Sequence, residues 1–251
     1  MNGASADRKT EKVRAHFGQG TPYLKDNYNI RLRREIVRDM LTGARFRSIL
    51  DVACGNAEVS LPFLTAEGHL TLLDISPAML EAADRNIPED LRGRAELRNE
   101  DFLRAEFPAR SYDLIICTGL LAHIKDPVAT LEKISALLMP GGCLILQNTD
   151  ADHPYSRLIK LYRWMGALLA PTRYQYNRVT ESMIINILAE RGIELKKRFS
   201  YIQSFLIFDR LMKPSVSDWL IRRLFGNAGR NMMPWLGNDR LYLFCMRGDI
   251  K

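Results

Sequence analysis

The chain has 251 residues, 47% of them hydrophobic and 26% charged. These are ordinary globular proportions, which exclude a disordered or fibrous chain, and the length suits a single α/β unit whose core needs no disulfide or metal staple. The longest uncharged run, Ile134–Thr149, is broken by Pro140-Gly141-Gly142 and is too short to span a bilayer. Charges at Asp7, Arg8, Lys9, Glu11, Lys12 and Arg14 leave no apolar stretch for a secretory signal. The four cysteines (Cys54, Cys117, Cys143, Cys245) are scattered without metal-type spacing. They read as buried residues of a reducing cytosol, so no metal and a cytoplasmic location are expected. The net charge of +7 divides unevenly: residues 1–48 carry +6, residues 49–150 carry −8 and residues 151–251 carry +9. An acidic middle between two basic flanks speaks to partners rather than to fold.

In chain order, residues 1–20 are polar. Asn29–Leu41 spaces Ile30, Ile36, Val37, Met40 and Leu41 near helical intervals. Ser48–Val52 is a short apolar run ending near Gly55, a buried strand; Leu70–Leu73 is a second, stopped by Asp74. Ser76-Pro77 starts a helix, with Ser76 as cap and Pro77 at the first helical position. Ala95–Arg98 predicts a weaker strand and Tyr112–Cys117 a stronger one. Val128–Leu138 has helical periodicity, Met139-Pro140-Gly141-Gly142 terminates it, and Cys143–Gln147 is a strand. A helix over Glu181–Arg191, a strand from Glu194 to about Ile202 and a last strand over Leu241–Met246 follow. Strands alternating with helices through residues 48–148 indicate βαβ units and a mostly parallel sheet.

The residues that carry chemistry sit at strand ends. Asp51-Val52-Ala53-Cys54-Gly55-Asn56-Ala57 lies where the first strand turns toward a helix, and such a turn lets backbone N–H groups approach a ligand. It holds one glycine, so alone it fits an empty strand-to-helix turn equally well. Asp74 closes the second strand, where a carboxylate can accept from both hydroxyls of a ribose. Asp101 closes the third and can accept from an exocyclic adenine amine, with Phe102 as an apolar neighbour. Each aspartate alone fits a solvated strand end; three consecutive strands ending this way is a rarer coincidence.

With these residues the chain resembles the class I S-adenosylmethionine-dependent methyltransferases, most of all the small-molecule enzymes of ubiquinone and menaquinone biosynthesis. The resemblance rests on Leu50–Ala57, Leu73–Leu80, Asn99–Phe102, Ser111–Ile115 and Leu138–Gly142, and covers residues 48–148. Ala53 and Ala57 stand where glycines are common in the family; alanine leaves the approach open, and Asn56 tolerates a left-handed backbone. The resemblance implies a Rossmann-like seven-stranded, mostly parallel sheet with its last strand antiparallel, helices on both faces and helical cap insertions. It implies S-adenosylmethionine as cofactor, with Ala53, Gly55 and Asn56 lining the methionine part. Asp51 anchors the turn or the cofactor's amino group. Asp74 and Ile75 hold ribose and adenine, with Met79 in the same motif, Asp101 and Phe102 hold the adenine edge, and Thr118 lies near the methionine moiety. Tyr23 and Tyr28 either close over the cofactor as an N-terminal lid (residues 1–47) or pack the first helix.

The reaction implied is in-line displacement at a sulfonium methyl, in which orientation supplies much of the acceleration. A base is needed only for an acceptor that must lose a proton early. His123, after the fourth strand, is the candidate; fixing its loop through backbone hydrogen bonds is the alternative, and the favoured one. His153, beside Pro154, reads as a surface residue. The Asn/Asp-Pro-Pro-Tyr/Phe motif of base-modifying enzymes is absent, since the fourth strand runs into Cys117-Thr118-Gly119-Leu120. That argues against nucleic acid as partner, and Lys196-Lys197-Arg198 reads as a solvated strand start. Residues 151–179 and 204–238 exceed minimal connections and mix aromatic, aliphatic and basic side chains, placing them to roof an amphiphilic or anionic acceptor. Peripheral attachment to anionic membrane is a weaker form of the same reading. The rival readings are a noncatalytic cofactor-binding protein acting through a partner, and an RNA or protein methyltransferase.

Overall fold

The computed structural model describes residues 28–167, 177–202, 213–227 and 229–248. The expectation for Tyr23 therefore lies outside the described residues, as do parts of both insertions. Helix α1 (Tyr28–Met40) leads into β1 (Ser48–Val52), β2 (His69–Leu73), α2 (Pro77–Asn86), β3 (Ala95–Arg98), β4 (Tyr112–Cys117), α3 (Pro127–Leu137) and β5 (Leu138–Thr149). Then come α4 (Pro154–Ala167), α5 (Glu181–Ala189), β6 (Ile193–Tyr201), α6 (Pro214–Phe225), the two-residue strands β7 (Gly226–Asn227) and β8 (Arg230–Asn231), and β9 (Asp239–Met246).

Seven strands form one sheet in the order β3-β2-β1-β4-β5-β9-β6. Pairings from β3 through β5 are parallel, and β9 runs antiparallel to both β5 and β6. This is the expected Rossmann-like α/β sheet. The strands read as unbroken apolar runs because successive side chains feed two different cores. Ile49, Leu70, Leu72, Leu114, Ile116, Ile145, Leu241 and Leu243 face α1, α2 and α6. Leu50, Val52, Leu73, Ile115, Leu144, Leu146, Tyr242 and Phe244 face α3 and α5. Each such Leu, Ile or Phe contributes about 1.5–3 kcal/mol by leaving water.

The helix starts follow from their caps. Ser76 Oγ accepts from the Met79 N–H at 3.4 Å with Pro77 at the first helical position, and Asp126 Oδ1 accepts from Ala129 N–H at 2.9 Å ahead of Pro127. Thr180 caps α5 through Met183 N–H at 3.2 Å. One boundary differs from the sequence reading. Met139-Pro140-Gly141-Gly142 lies inside β5, where the pairing with β4 jumps from Leu138 opposite Tyr112 to Cys143 opposite Leu114. Gly141 takes φ 78°, and a Cβ on Gly142 would stand 2.9 Å from the Met139 carbonyl. The segment is a bulge that only glycine permits. The sheet also joins two of the cysteines that sequence leaves apart: Cys143 faces Cys245 across β5 and β9, with Sγ atoms 2.7 Å apart.

Candidate active site

The strand order reverses between β1 and β4, and the crevice at the carboxyl ends of such strands is where open α/β sheets take ligands. A cavity of about 250 Å³ opens there, lined by the residues that leave β1, β2, β3 and β4. The chain leaves β1 through Ala53 (φ 59°), Gly55 (φ 56°) and Ala57 (φ 61°). The left-handed positions are therefore Ala53, Gly55 and Ala57, and Asn56, which would tolerate one, is not among them. Its side chain donates to Glu58 Oε1 at 2.6 Å and its carbonyl accepts from Asn86 Nδ2 at 3.0 Å, so Asn56 holds the turn against α2.

Asp74 ties this turn to the next strand. One carboxylate oxygen accepts from Gly55 N–H at 3.0 Å and the other from Ser76 N–H at 2.8 Å. Burial raises its pKa, against the lowering effect of backbone N–H groups from Ser76, Gly55 and Ile75. With three backbone donors on its roughly four lone-pair sites, the carboxylate retains room for a further donor. Asp101 begins a single helical turn: its carbonyl accepts from Arg104 and Ala105 N–H at 2.9 Å each, and its Oδ1 accepts from Leu103 N–H at 2.9 Å. Phe102 is buried beside it.

Asp51 is fully buried, with Oδ2 lacking any hydrogen-bond partner. Burial pushes its pKa up to about 7, the Ser60 hydroxyl acting against this and the charge of Asp74 adding to it. An orphaned carboxylate oxygen under a ligand-facing turn suits a cationic partner such as an ammonium group.

The structure brings Ala53, Asp74, Ile75, Asp101, Phe102 and His123 to one cavity. Gly55 and Asp51 adjoin it through the turn, Thr118 follows β4, and Met79 is buried within α2, outside the cavity lining. Tyr28 opens α1. His123 shares the wall with Asp101 and Phe102, and its N–H donates to the Leu120 carbonyl at 2.8 Å. His153, read from sequence as a surface residue, is 9% exposed. Its Nδ1 accepts from Tyr155 N–H at 3.2 Å, which leaves Nε2 to donate to the Trp235 carbonyl at 2.9 Å, so the ring pins the start of α4 to the turn before β9. Sequence reasoning missed Leu120, Ile124 and Lys125, which line the cavity from the turn after β4. Their only signal is their position past a strand end.

A methyltransferase domain family matches residues 49–142. A ubiquinone biosynthesis O-methyltransferase of Xanthomonas campestris pv. campestris is 30% identical over 122 residues, 48% of this chain and 49% of that protein. A demethylmenaquinone methyltransferase of Chlamydia pneumoniae is 31% identical over 141 residues, 51% of this chain and 60% of that protein. The chain thus spans about half the length of the curated relatives it matches. A magnesium protoporphyrin IX methyltransferase from Synechocystis, solved with S-adenosylhomocysteine, superposes with TM-score 0.63 at 16% identity, covering 95% of this chain and 99% of that one. At that identity the likeness speaks to the fold.

Proposed function

We propose that the chain, whose residues 49–142 match a methyltransferase domain family, is a class I S-adenosylmethionine-dependent methyltransferase that transfers the methyl group to a small amphiphilic or anionic acceptor. The observation that carries this reading is the single cavity uniting Ala53, Asp74, Ile75, Asp101 and Phe102 at three successive strand ends. In the proposed assignment, the Asp74 carboxylate accepts from the ribose hydroxyls. Asp101 accepts from the adenine amine beside the Phe102 ring. The unpaired Oδ2 of Asp51 faces the amino group of the methionine part, and the turn at Ala53 and Gly55 admits its chain. When bound, the cofactor supplies an electrophilic methyl on a sulfonium sulfur. The protein's part is to hold that methyl in line with the acceptor and exclude water, and orientation of this kind is worth roughly 7–11 kcal/mol. His123 is assigned to the adenosine wall it shares with Asp101 and Phe102, so no proton transfer is routed through it.

The finer part of the proposal concerns the acceptor. The two relatives, named for ubiquinone biosynthesis and for demethylmenaquinone, support an apolar aromatic one. Leu158, Leu161 and Trp164 on α4, Val216 and Trp219 on α6, and Trp235 are exposed, and Arg157, Lys160, Arg222 and Arg223 lie among them. Exposed apolar side chains with cations close in sequence suit an amphiphile, or the anionic membrane that holds one. No helix among the described residues is long and apolar enough to cross a membrane.

Calorimetry tests the cofactor assignment. Asp74→Ala should weaken S-adenosylhomocysteine binding by about 1.5–3 kcal/mol through loss of the charged ribose acceptor; unchanged affinity removes that role from Asp74. Co-sedimentation with phosphatidylglycerol vesicles tests the surface. Binding at low salt that weakens at high salt is expected, since screening shortens the reach of the basic rim. No binding at either salt, with activity only on small neutral acceptors, rejects the amphiphile.

A further inference from the structure

Lys133 lies on α3, in a segment that sequence motifs leave silent, yet its ammonium reaches across to the turn after β3. It donates to the carbonyls of Phe102 at 2.6 Å and Leu103 at 3.2 Å and to that of Ala105, so all three N–H bonds go to one stretch of backbone. The nitrogen also stands 5.1 Å from the Phe102 ring centroid and 5.6 Å from that of Phe107. Desolvation at this half-buried position lowers its pKa, the charge of Asp101 acting in the opposite sense.

The turn from Asp101 to Ala105 is one helical turn long. A turn that short has no stability of its own, because nucleation fixes several residues for very few hydrogen bonds. Its N–H groups are satisfied from its start, by the side chain and carbonyl of Asp101. Its carbonyls, which a longer helix would pair with following N–H groups, are instead closed by Lys133. The turn is thus capped at one end by the residue assigned to the adenine and at the other by a cation from another element. Asp101, Phe102, Leu103 and Arg104 all line the cavity.

We propose that Lys133 is a positioning residue for cofactor recognition: by closing the carbonyls of Phe102, Leu103 and Ala105 it fixes the Asp101 carboxylate where it distinguishes adenine from other bases. This rests on the assignment of Asp101 to the exocyclic amine. Without the ammonium, water must satisfy three carbonyls, the turn loosens, and Asp101 keeps its charge but loses its aim.

The test compares S-adenosylhomocysteine with S-inosylhomocysteine, which replaces the adenine amine by a carbonyl oxygen. Wild-type protein should prefer the adenine form by about tenfold to a hundredfold, the range for a hydrogen bond to a charged acceptor. Lys133→Met, which keeps the stem and removes the donors, should bind S-adenosylhomocysteine about tenfold more weakly and shrink the preference to within about threefold. Where Lys133→Met yields no folded protein, Lys133→Gln carries the same comparison with two donors in place of three. Affinities that fall equally for both ligands, or a preference that survives intact, overturn the proposal and reduce Lys133 to general support of the fold. A wild-type protein that binds both ligands equally rejects the Asp101 assignment instead, and one that binds neither rejects the cofactor site.

Discussion

A carboxylate without water and with one oxygen unpaired, as at Asp51, is a store of unfavourable free energy waiting for a cation. Its pKa, near 3.8 in the open chain, is held at about 7 in the ligand-free fold, mainly by burial. The sign of the linkage follows. Between those values the native state binds the proton that the unfolded chain has released, so stability falls as pH rises from about 4 to about 7. Asp51→Asn removes the penalty. The variant should gain stability over wild type, by an amount approaching about 4 kcal/mol at pH 8 and vanishing toward pH 4, in urea titrations without ligand. A wild-type pH profile that matches the variant's throughout rejects this. A bound ammonium has the opposite effect on Asp51, so S-adenosylhomocysteine affinity should rise with pH through the same window in wild type and not in Asp51→Asn.

At the scale of elements, the turn leaving β1 shows what sequence reveals and what it conceals. Its position was legible: the apolar run of Ser48–Val52, Asp74 at the end of β2 and Asp101 at the end of β3 place three strand ends, and the sheet brings them together. The caps of α2 were legible too, because Ser-Pro has few other uses. Its backbone was not. Nothing in an alanine announces a positive φ, and Ala53 and Ala57 both adopt one because the turn's course is dictated by Asp74 and by the burial of Ala57 against the core. Nor could sequence show that Pro140-Gly141-Gly142 sits inside β5, since the strand ladder that tolerates the bulge is made by β4. His153 and Lys133 act through partners 82 and about 30 residues away, which spacing cannot convey. A left-handed alanine is disfavoured by about 1–2 kcal/mol relative to glycine, and glycine's added freedom when unfolded offsets about 0.4–1 of that. Ala53→Gly should therefore stabilise by about 0.5–1 kcal/mol in thermal melts with S-adenosylhomocysteine binding retained. A loss of stability contradicts the strained turn.

For the whole molecule, Arg240 adds an ionic link to the β5–β9 ladder that joins the second half to the first. Its guanidinium meets Asp150 at 3.1 Å and Glu181 in a closer pair, joining β9 to the end of β5 and the start of α5. All three side chains are more than four-fifths buried, so removing the cation leaves Asp150 beside Glu181, with Arg198 at 2.9 Å from Glu181 as the remaining cation. Arg240→Met should destabilise by about 2–3 kcal/mol, below the range for fully buried pairs because some exposure remains. An unchanged denaturation midpoint refutes that estimate.

The position of β9 has a consequence in time. It follows β6 in the chain but lies between β5 and β6 in the sheet. Until residues 239–246 have been synthesised, β5 presents a bare edge and β6 has nothing to pair with. The Cys143–Cys245 register spans 102 residues, the kind of distant pairing that slows a chain's search for its native state. Among the described residues, those that line the cavity all fall between Val52 and Lys125. A nascent chain therefore holds these cavity walls while its sheet is still open, and a ligand that fills the cavity at that stage lowers the free energy of the half-built sheet before the final strand arrives.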